Sequence, residues 1–201
     1  MGKVLIYAMQ EGLGGVEQYV LNLSRYGKSP KDKYGYIILG EKTIYENVLK
    51  EYDMDYFFIT HKNKNLIKNI YELYNLLKNK RNIYDTIYFN TSGLYYPIPY
   101  ILALLDGYRI VLHSHSMSGS WPKRLIHYFN RWWITKITSV NMACSGPAGK
   151  WMFGKKKFEI IPNAIEIEKF EFNQANRLEC RSRHNLDSKY VIGHIGRFTR
   201  L

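Results

Sequence analysis

Short apolar runs alternate with longer amphipathic segments along most of this chain. Runs dense in Val, Ile, Leu, Tyr and Phe fall at 4–9, 34–39, 56–60, 86–90, 109–113, 139–143 and 158–161. They are apolar throughout rather than at every second position, which suits strands covered on both faces. Between them, apolar residues recur at helical spacing over 15–26, 43–52, 66–78, 94–105, 122–137 and 148–153. Strand and helix in regular alternation predict βα units around a parallel sheet, an α/β Rossmann-like fold with helices on both faces.

The rhythm changes after Asn163. A polar stretch at 166–188 predicts a linker with one short helix near 175–183, and 190–198 (YVIGHIGRF) reads as a fresh strand. The expected organisation is therefore a domain over 1–165, a linker over 166–188, and the first strand of a second, truncated domain at 189–201.

Composition narrows the class of partner. The 201 residues are 46% hydrophobic, enough for a core, and carry 29 Lys and Arg against 17 Asp and Glu, a formal charge of +12. Such a field attracts polyanions: phosphorylated substrates, anionic lipid or nucleic acid. No arginine-rich or zinc-finger pattern accompanies it, so no nucleic-acid partner is expected. The two cysteines, Cys144 and Cys180, have no CxxC spacing, and neither a metal site nor a disulfide framework is predicted. The apolar stretch 4–9 is too short for a secretory signal. The longest apolar run, 94–105, contains Pro97 and Pro99 and is too short to span a bilayer. These features predict a cytoplasmic chain.

Candidate chemistry gathers where predicted strands run into helices. The first strand leads into Gly12-Leu13-Gly14-Gly15-Val16-Glu17. Glycines at a strand-to-helix turn let backbone N–H groups approach a phosphate, although GxGxxG fails because Glu17 holds the third glycine position. The bland alternative is a tight turn. His113-Ser114-His115-Ser116 closes the fifth strand, at the edge where open α/β sheets bind ligands. The i, i+2 spacing sends both rings to one side, where they would donate to an anionic oxygen or exchange a proton near neutrality. Packing is at least as good a reading for His113; His115 leans functional. Over 118–138, Lys123, Arg124, Arg131 and Lys136 interleave with Trp121, Phe129, Trp132 and Trp133 on a helix capped by Ser120. This composition suits an anionic membrane surface, weighed against a core helix whose tryptophans face the sheet. The lysines of 62–80 and 155–157 read as solvated faces, and Asn90-Thr91-Ser92 as a sequon without meaning.

Five stretches, in order, resemble the family 4 retaining glycosyltransferases, and most of all those of bacterial capsule and exopolysaccharide synthesis. They are Gly14-Gly15-Val16-Glu17, Val111 to Ser116, the run into Cys144-Ser145, Ile161-Pro162-Asn163-Ala164-Ile165-Glu166 with Phe170, and Gly193 to Phe198. The family's Pro-Asn-Gly-Val-Asp stands here as Pro-Asn-Ala-Ile-Glu. The resemblance implies the N-terminal, acceptor-side half of a two-domain GT-B fold. It implies a nucleotide-sugar donor, a glycan or lipid-linked acceptor, no cofactor, and a peripheral position at the inner face of the cell membrane. Gly14 and Gly15 would lie under the donor diphosphate with Glu17 beside them. His113 and His115 would face the site, His115 against the reacting sugar or acceptor, and Asn163 would stand at the hinge. Arg197 would neutralise the leaving diphosphate. The family's remaining donor-site residues would follow Leu201, so the chain alone is expected to be inactive. Competing readings are a nicotinamide or flavin oxidoreductase, with Glu41 as the acid ending the second strand, and a non-catalytic binding half-domain.

Overall fold

The computed structural model describes residues 3–12, 14–26, 33–116 and 120–194. Seven strands form one sheet: β1 (Lys3–Gln10), β2 (Lys33–Leu39), β3 (Asp55–Ile59), β4 (Thr86–Thr91), β5 (Arg109–Ser114), β6 (Val140–Ala143) and β7 (Glu159–Ile160). Their order is β3-β2-β1-β4-β5-β6-β7, and all neighbours are parallel. Parallel pairing demands crossovers, supplied by α1 (Gly15–Tyr26), α2 (Glu46–Glu51), α3 (Leu66–Lys80), α4 (Ile98–Leu105), α5 (Trp121–Ile137) and α6 (Gly146–Phe153).

The pleat sorts the strand residues between two cores. Leu5, Ile37, Ile87 and Phe89 pack with Leu73 and Leu77 of α3, Ala103 of α4, Ile134 of α5 and Met152 of α6. Ile6, Tyr36, Ile38 and Tyr88 point the other way, against Tyr19, Val20 and Leu21 of α1 and Leu49 of α2. Strands grow outward from β1 to β3, then resume on the other side of β1 from β4 to β7. With right-handed crossovers this reversal places α1 and α2 on one face and α3 to α6 on the other. It also opens a crevice at the carboxyl ends of β1 and β4, the switch point of the topology.

Each predicted strand and helix of this sheet is present, with shifted ends that have local causes. The helix expected from residue 43 begins at Glu46, because Thr43 turns inward, buried, and its Oγ1 accepts the Tyr45 N–H. The helix expected from residue 94 begins at Ile98. The Leu94 N–H donates to His127 Nδ1 and its carbonyl accepts from Asn130 Nδ2, so α5 holds that peptide out of a helix. The last strand is a two-residue exposed edge, not a strand buried on both faces.

Two expectations for α5 are corrected. Ser120 stands at its N-cap, but the side chain makes no capping bond. The tryptophans do not all face the sheet: Trp121 is 72% exposed, Phe129 72% and Trp132 68%. The inward face is His127, Asn130, Ile134 and Thr135, with Trp133 half-buried against the core. Asn130 and His127 fill that role because the Leu94 and Trp151 backbones give their polar atoms partners.

The chain divides into two compact units between Ala164 and Ile165. The second holds a 3-10 turn, Ile167–Phe170, and α7 (Gln174–Arg183), capped by Asn173 accepting from the Asn176 N–H. Residues 190–194, expected to begin a strand, form none; 195–198, with Arg197, lie outside the described residues.

One packing contact yields a test of the core. A Cβ on Gly35, in β2, would lie 2.5 Å from the Tyr84 hydroxyl, which is buried and donates to Asp55. Gly35→Ala is therefore expected to destabilise by about 1–3 kcal/mol as an overpacked site, read as a lower midpoint in denaturant melts. An unchanged midpoint would mean that Tyr84 yields freely.

Candidate active-site crevice

The crevice is built from three strand ends. At the end of β1 the chain turns through Gly12, Gly14 and Gly15 into α1. Glu17, only 4% exposed, folds back so that its Oε1 accepts the Gln10 N–H at 3.0 Å. A Cβ on Gly14 would lie 2.0 Å from Glu17 Oε2, whereas Gly12 and Gly15 face open space. Glu17 thus occupies part of the positive end of α1, and the approach left for a ligand is over Gly15.

At the end of β5, His113 is fully buried and His115 half-buried just beyond the strand. Their rings lie on one side with centroids 4.2 Å apart, and Tyr19 meets both rings at 5.0 Å. His113 Nδ1 is 2.6 Å from the Tyr88 hydroxyl, which is 3.1 Å from the Tyr19 hydroxyl. His115 Nε2 is 2.8 Å from Asn90 Oδ1 at the end of β4. The His115 backbone is pinned as well, its N–H donating to Thr91 and its carbonyl accepting from Cys144 Sγ.

Burial sets the charge of this pair. It pushes His113 down to about 3, with His115 adding to the effect and the Ile161 backbone opposing it. Burial likewise takes His115 down to about 4, opposed by the side chain of Asn163. Both rings are neutral at neutral pH. The expectation of proton exchange near neutrality is corrected: desolvation of the imidazolium outweighs every nearby acceptor.

Asn90, the partner of His115, also lines a cavity of about 500 Å³ together with Tyr7, Glu17, Lys62, Tyr95 and Tyr96 among others. Lys62, expected on a solvated face, instead lies 4.6 Å over the Tyr96 ring, its ammonium held below the usual range by burial and by Lys123. Asn69 braces this wall, donating to the Thr60 carbonyl and accepting from the Tyr96 hydroxyl. The Asn90 Nδ2 and Tyr95 Oη atoms are buried and have no hydrogen-bond partner among the described residues. The cavity thus offers stacking surfaces and one ammonium, with two unsatisfied polar atoms buried in its wall, a lining suited to a hydroxylated ligand.

Sequence reasoning located Gly14, Gly15, Glu17, His113 and His115, which the fold brings to one crevice, with Asn163 beside His115. Trp121, Lys123, Arg124 and Trp132 are exposed on α5. Arg131 is not a free surface cation: its Nη1 donates to the Trp151 carbonyl and its guanidinium lies over Tyr128. Glu41, considered for a dinucleotide ribose, is paired with Lys64. Asn90, Lys62 and Tyr95 were missed; the position of Asn90 on a strand ending at a switch point was the available signal.

No protein-family model matches the chain, and no curated protein is similar to it. Solved structures share its fold. A structure of Anabaena Alr3699/HepE in complex with UDP and glucose matches with a TM-score of 0.71 at 17% identity, over 98% of this chain and 54% of that one. A glycosyltransferase from Rickettsia africae matches with a TM-score of 0.69 at 11% identity, over 93% and 50%. A UDP-GlcNAc 2-epimerase from Neisseria meningitidis bound to UDP-GlcNAc matches at 0.56 and 11%, over 91% and 54%. The chain spans about half the length of these structures. Its fold is the Rossmann-like α/β half of a GT-B architecture.

Proposed function

We propose that this protein is a glycosyltransferase of the family 4 type that moves a sugar from a nucleotide-sugar donor to a glycan or lipid-linked acceptor in cell-surface polysaccharide synthesis. This chain supplies mainly the acceptor side. The observation that carries the reading is the switch-point crevice, where the neutral His113–His115 pair is bonded through His115 to Asn90, and Asn90 lines an aromatic cavity with unsatisfied polar atoms buried in its wall. His115 contacts the reacting sugar or acceptor hydroxyl as a neutral hydrogen-bond partner. Charge on the leaving diphosphate falls to the α1 N-terminus over Gly15 and to Arg197, with Asn163 at the edge of the site. The reaction so read uses no resident cofactor or metal. The test is calorimetric titration, in a protein that carries both GT-B halves, with UDP-glucose, UDP-GlcNAc and NAD, followed by a nucleotide-release assay with candidate acceptors. Binding of NAD with no binding of a nucleotide sugar would overturn the reading in favour of an oxidoreductase.

The acceptor, in this reading, is presented at an anionic membrane surface. No described helix is long and apolar enough to cross a membrane. However, α5 exposes Trp121, Leu125, Phe129 and Trp132 along one stripe, flanked by Lys123, Arg124 and Lys136 and by no acidic residue. Lys136 Nζ lies 4.0 Å over the Trp132 ring, which keeps cation and aromatic together at an interface. Anionic vesicles are expected to co-sediment the protein, and salt to release it. Replacing Lys123, Arg124 and Lys136 by Ala should weaken sedimentation by about tenfold or more, since each cation near such a surface contributes about 1 kcal/mol. Equal binding to neutral vesicles would count against the mechanism.

A further inference from the structure

Asn90 ends β4 beside the crevice and is 94% buried in effect, with only 6% of its surface exposed. Its two amide atoms have different fates. Oδ1 is 2.8 Å from His115 Nε2, while Nδ2 has no partner among the described residues and the residue lines the 500 Å³ cavity. A carbonyl oxygen only accepts, so His115 must carry its proton on Nε2 to make this bond. The remaining nitrogen, Nδ1, then holds a lone pair and makes no hydrogen bond of good geometry among the described residues, although the side chain of Asn163 stands near enough to the ring to act on it.

His127 illustrates the same logic with a different outcome. Its Nδ1 accepts the Leu94 N–H and its Nε2 donates to the Trp151 carbonyl, so both nitrogens are used and the ring is structural. At His115 one nitrogen is fixed and the other left over. Unsatisfied buried polar atoms cost of the order of 1–3 kcal/mol each, and leaving one on each of two bonded side chains is an expense that a ligand would relieve. A hydroxyl both donates and accepts, so hydroxyl groups of a bound sugar can satisfy an acceptor such as Nδ1 and a donor such as Nδ2. An anionic oxygen has no hydrogen to give Nδ1.

We propose that Asn90 is a positioning residue for His115: it fixes the Nε2–H tautomer, so that Nδ1 accepts from a sugar hydroxyl, and it offers its own free N–H to a second oxygen of that neutral sugar in the cavity. This rests on the glycosyltransferase reading for the role of His115, but the arrangement of protons does not. The back-bonded amide and the free amide N–H are two functions of one side chain, and two substitutions part them. Asn90→Asp keeps an acceptor facing Nε2 and loses the free donor. Asn90→Leu loses both.

The experiment is nitrogen-15 NMR of the uniformly labelled 201-residue chain at neutral pH without ligand, with His115 assigned by His115→Gln. Wild type and Asn90→Asp are expected to show His115 almost wholly as the Nε2–H form. Asn90→Leu should shift it to a mixture containing the Nδ1–H form. A wild-type ring protonated on Nδ1, or a tautomer unmoved in Asn90→Leu, would overturn the assignment and leave Asn90 a packing residue, whatever the protein's reaction. If Asn90→Leu fails to fold, the wild-type tautomer alone decides, because a proton on Nδ1 is incompatible with the bond. The second function is read by titrating the chain with glucose and, in parallel, inorganic sulfate, which at neutral pH has no hydrogen to give Nδ1. The wild-type Asn90 side-chain amide resonance should move with glucose and not with sulfate, and glucose affinity should fall at least tenfold in Asn90→Asp. A response to sulfate alone, or no response to glucose, would overturn the sugar contact. If only that arm fails, the tautomer result still stands.

Discussion

Acidification from pH 6.5 to pH 5.5 is expected to lower the melting temperature by roughly 5 °C or more. Two buried imidazoles set this drop, His113, held down to about 3, and His115, held down to about 4, and His127, shifted in the same direction by burial, adds to it. A histidine whose pKa is lower in the folded than in the unfolded chain binds its proton more readily once unfolded. Its stabilising contribution is complete above about 6.5 and is lost as the pH falls toward the folded value. In the first pH unit below 6.5 such a ring costs about 1 kcal/mol, rising toward about 1.4 kcal/mol per unit further down, and a chain of this size loses about 2–4 °C per kcal/mol. The carboxylates held low by cationic partners, Glu41 beside Lys64 and Glu46 beside Lys50, belong to a more acid window, since their contribution persists until the pH approaches the ordinary carboxylate range. His113→Gln, which does not titrate, should start less stable at pH 7 and lose about a third to a half of the slope between pH 6.5 and 5. A wild-type melting temperature flat across that interval would show that the histidines protonate without leaving the fold.

The sheet was legible because strands covered on both faces need continuous apolar runs, and the sequence supplies such runs for β1 to β6 with a further one at β7, whose two residues are exposed. Runs such as 34–39 and 86–90 leave little choice of structure. What local pattern could not give was anything decided by a partner distant in sequence. The start of α4 depends on Asn130 and His127, more than thirty residues away, reaching back to Leu94. Whether the α5 tryptophans faced in or out depended on polar residues finding backbone partners, which hydrophobicity ranks cannot anticipate. Glycines and histidines at strand ends were visible as a site because their positions follow from topology. Their protonation was not, since a His-Ser-His motif says nothing of the burial that makes both rings neutral. Asn90 was hidden for a related reason: a strand-end amide is unremarked until the ring opposite it is known.

On the glycosyltransferase reading, replacing His115 by Ala in a protein that carries both GT-B halves is expected to reduce glycosyl transfer about a hundredfold while changing folding stability little at neutral pH. Acid–base and hydrogen-bonding groups at a reacting centre contribute typically about 10²–10⁴ in rate. The lower end applies here, because a ring whose pKa lies near 4 is a weak base and acts chiefly by orienting a hydroxyl. The loss should fall on kcat more than on KM if the contact tightens in the transition state, and on KM alone if it merely holds the acceptor. His113, fully buried and bonded to Tyr88, should behave in the opposite sense. His113→Ala leaves the Tyr88 hydroxyl short of a partner and opens a cavity beside Tyr19, so a loss of about 2–4 kcal/mol in stability is expected, with turnover per folded molecule reduced less than tenfold. The two mutants thus make opposite demands on the same two measurements, turnover and thermal melting. A His115→Ala protein that transfers sugar at the wild-type rate would remove this ring from the reaction. The crevice would then act through the cavity wall and the α1 N-terminus alone.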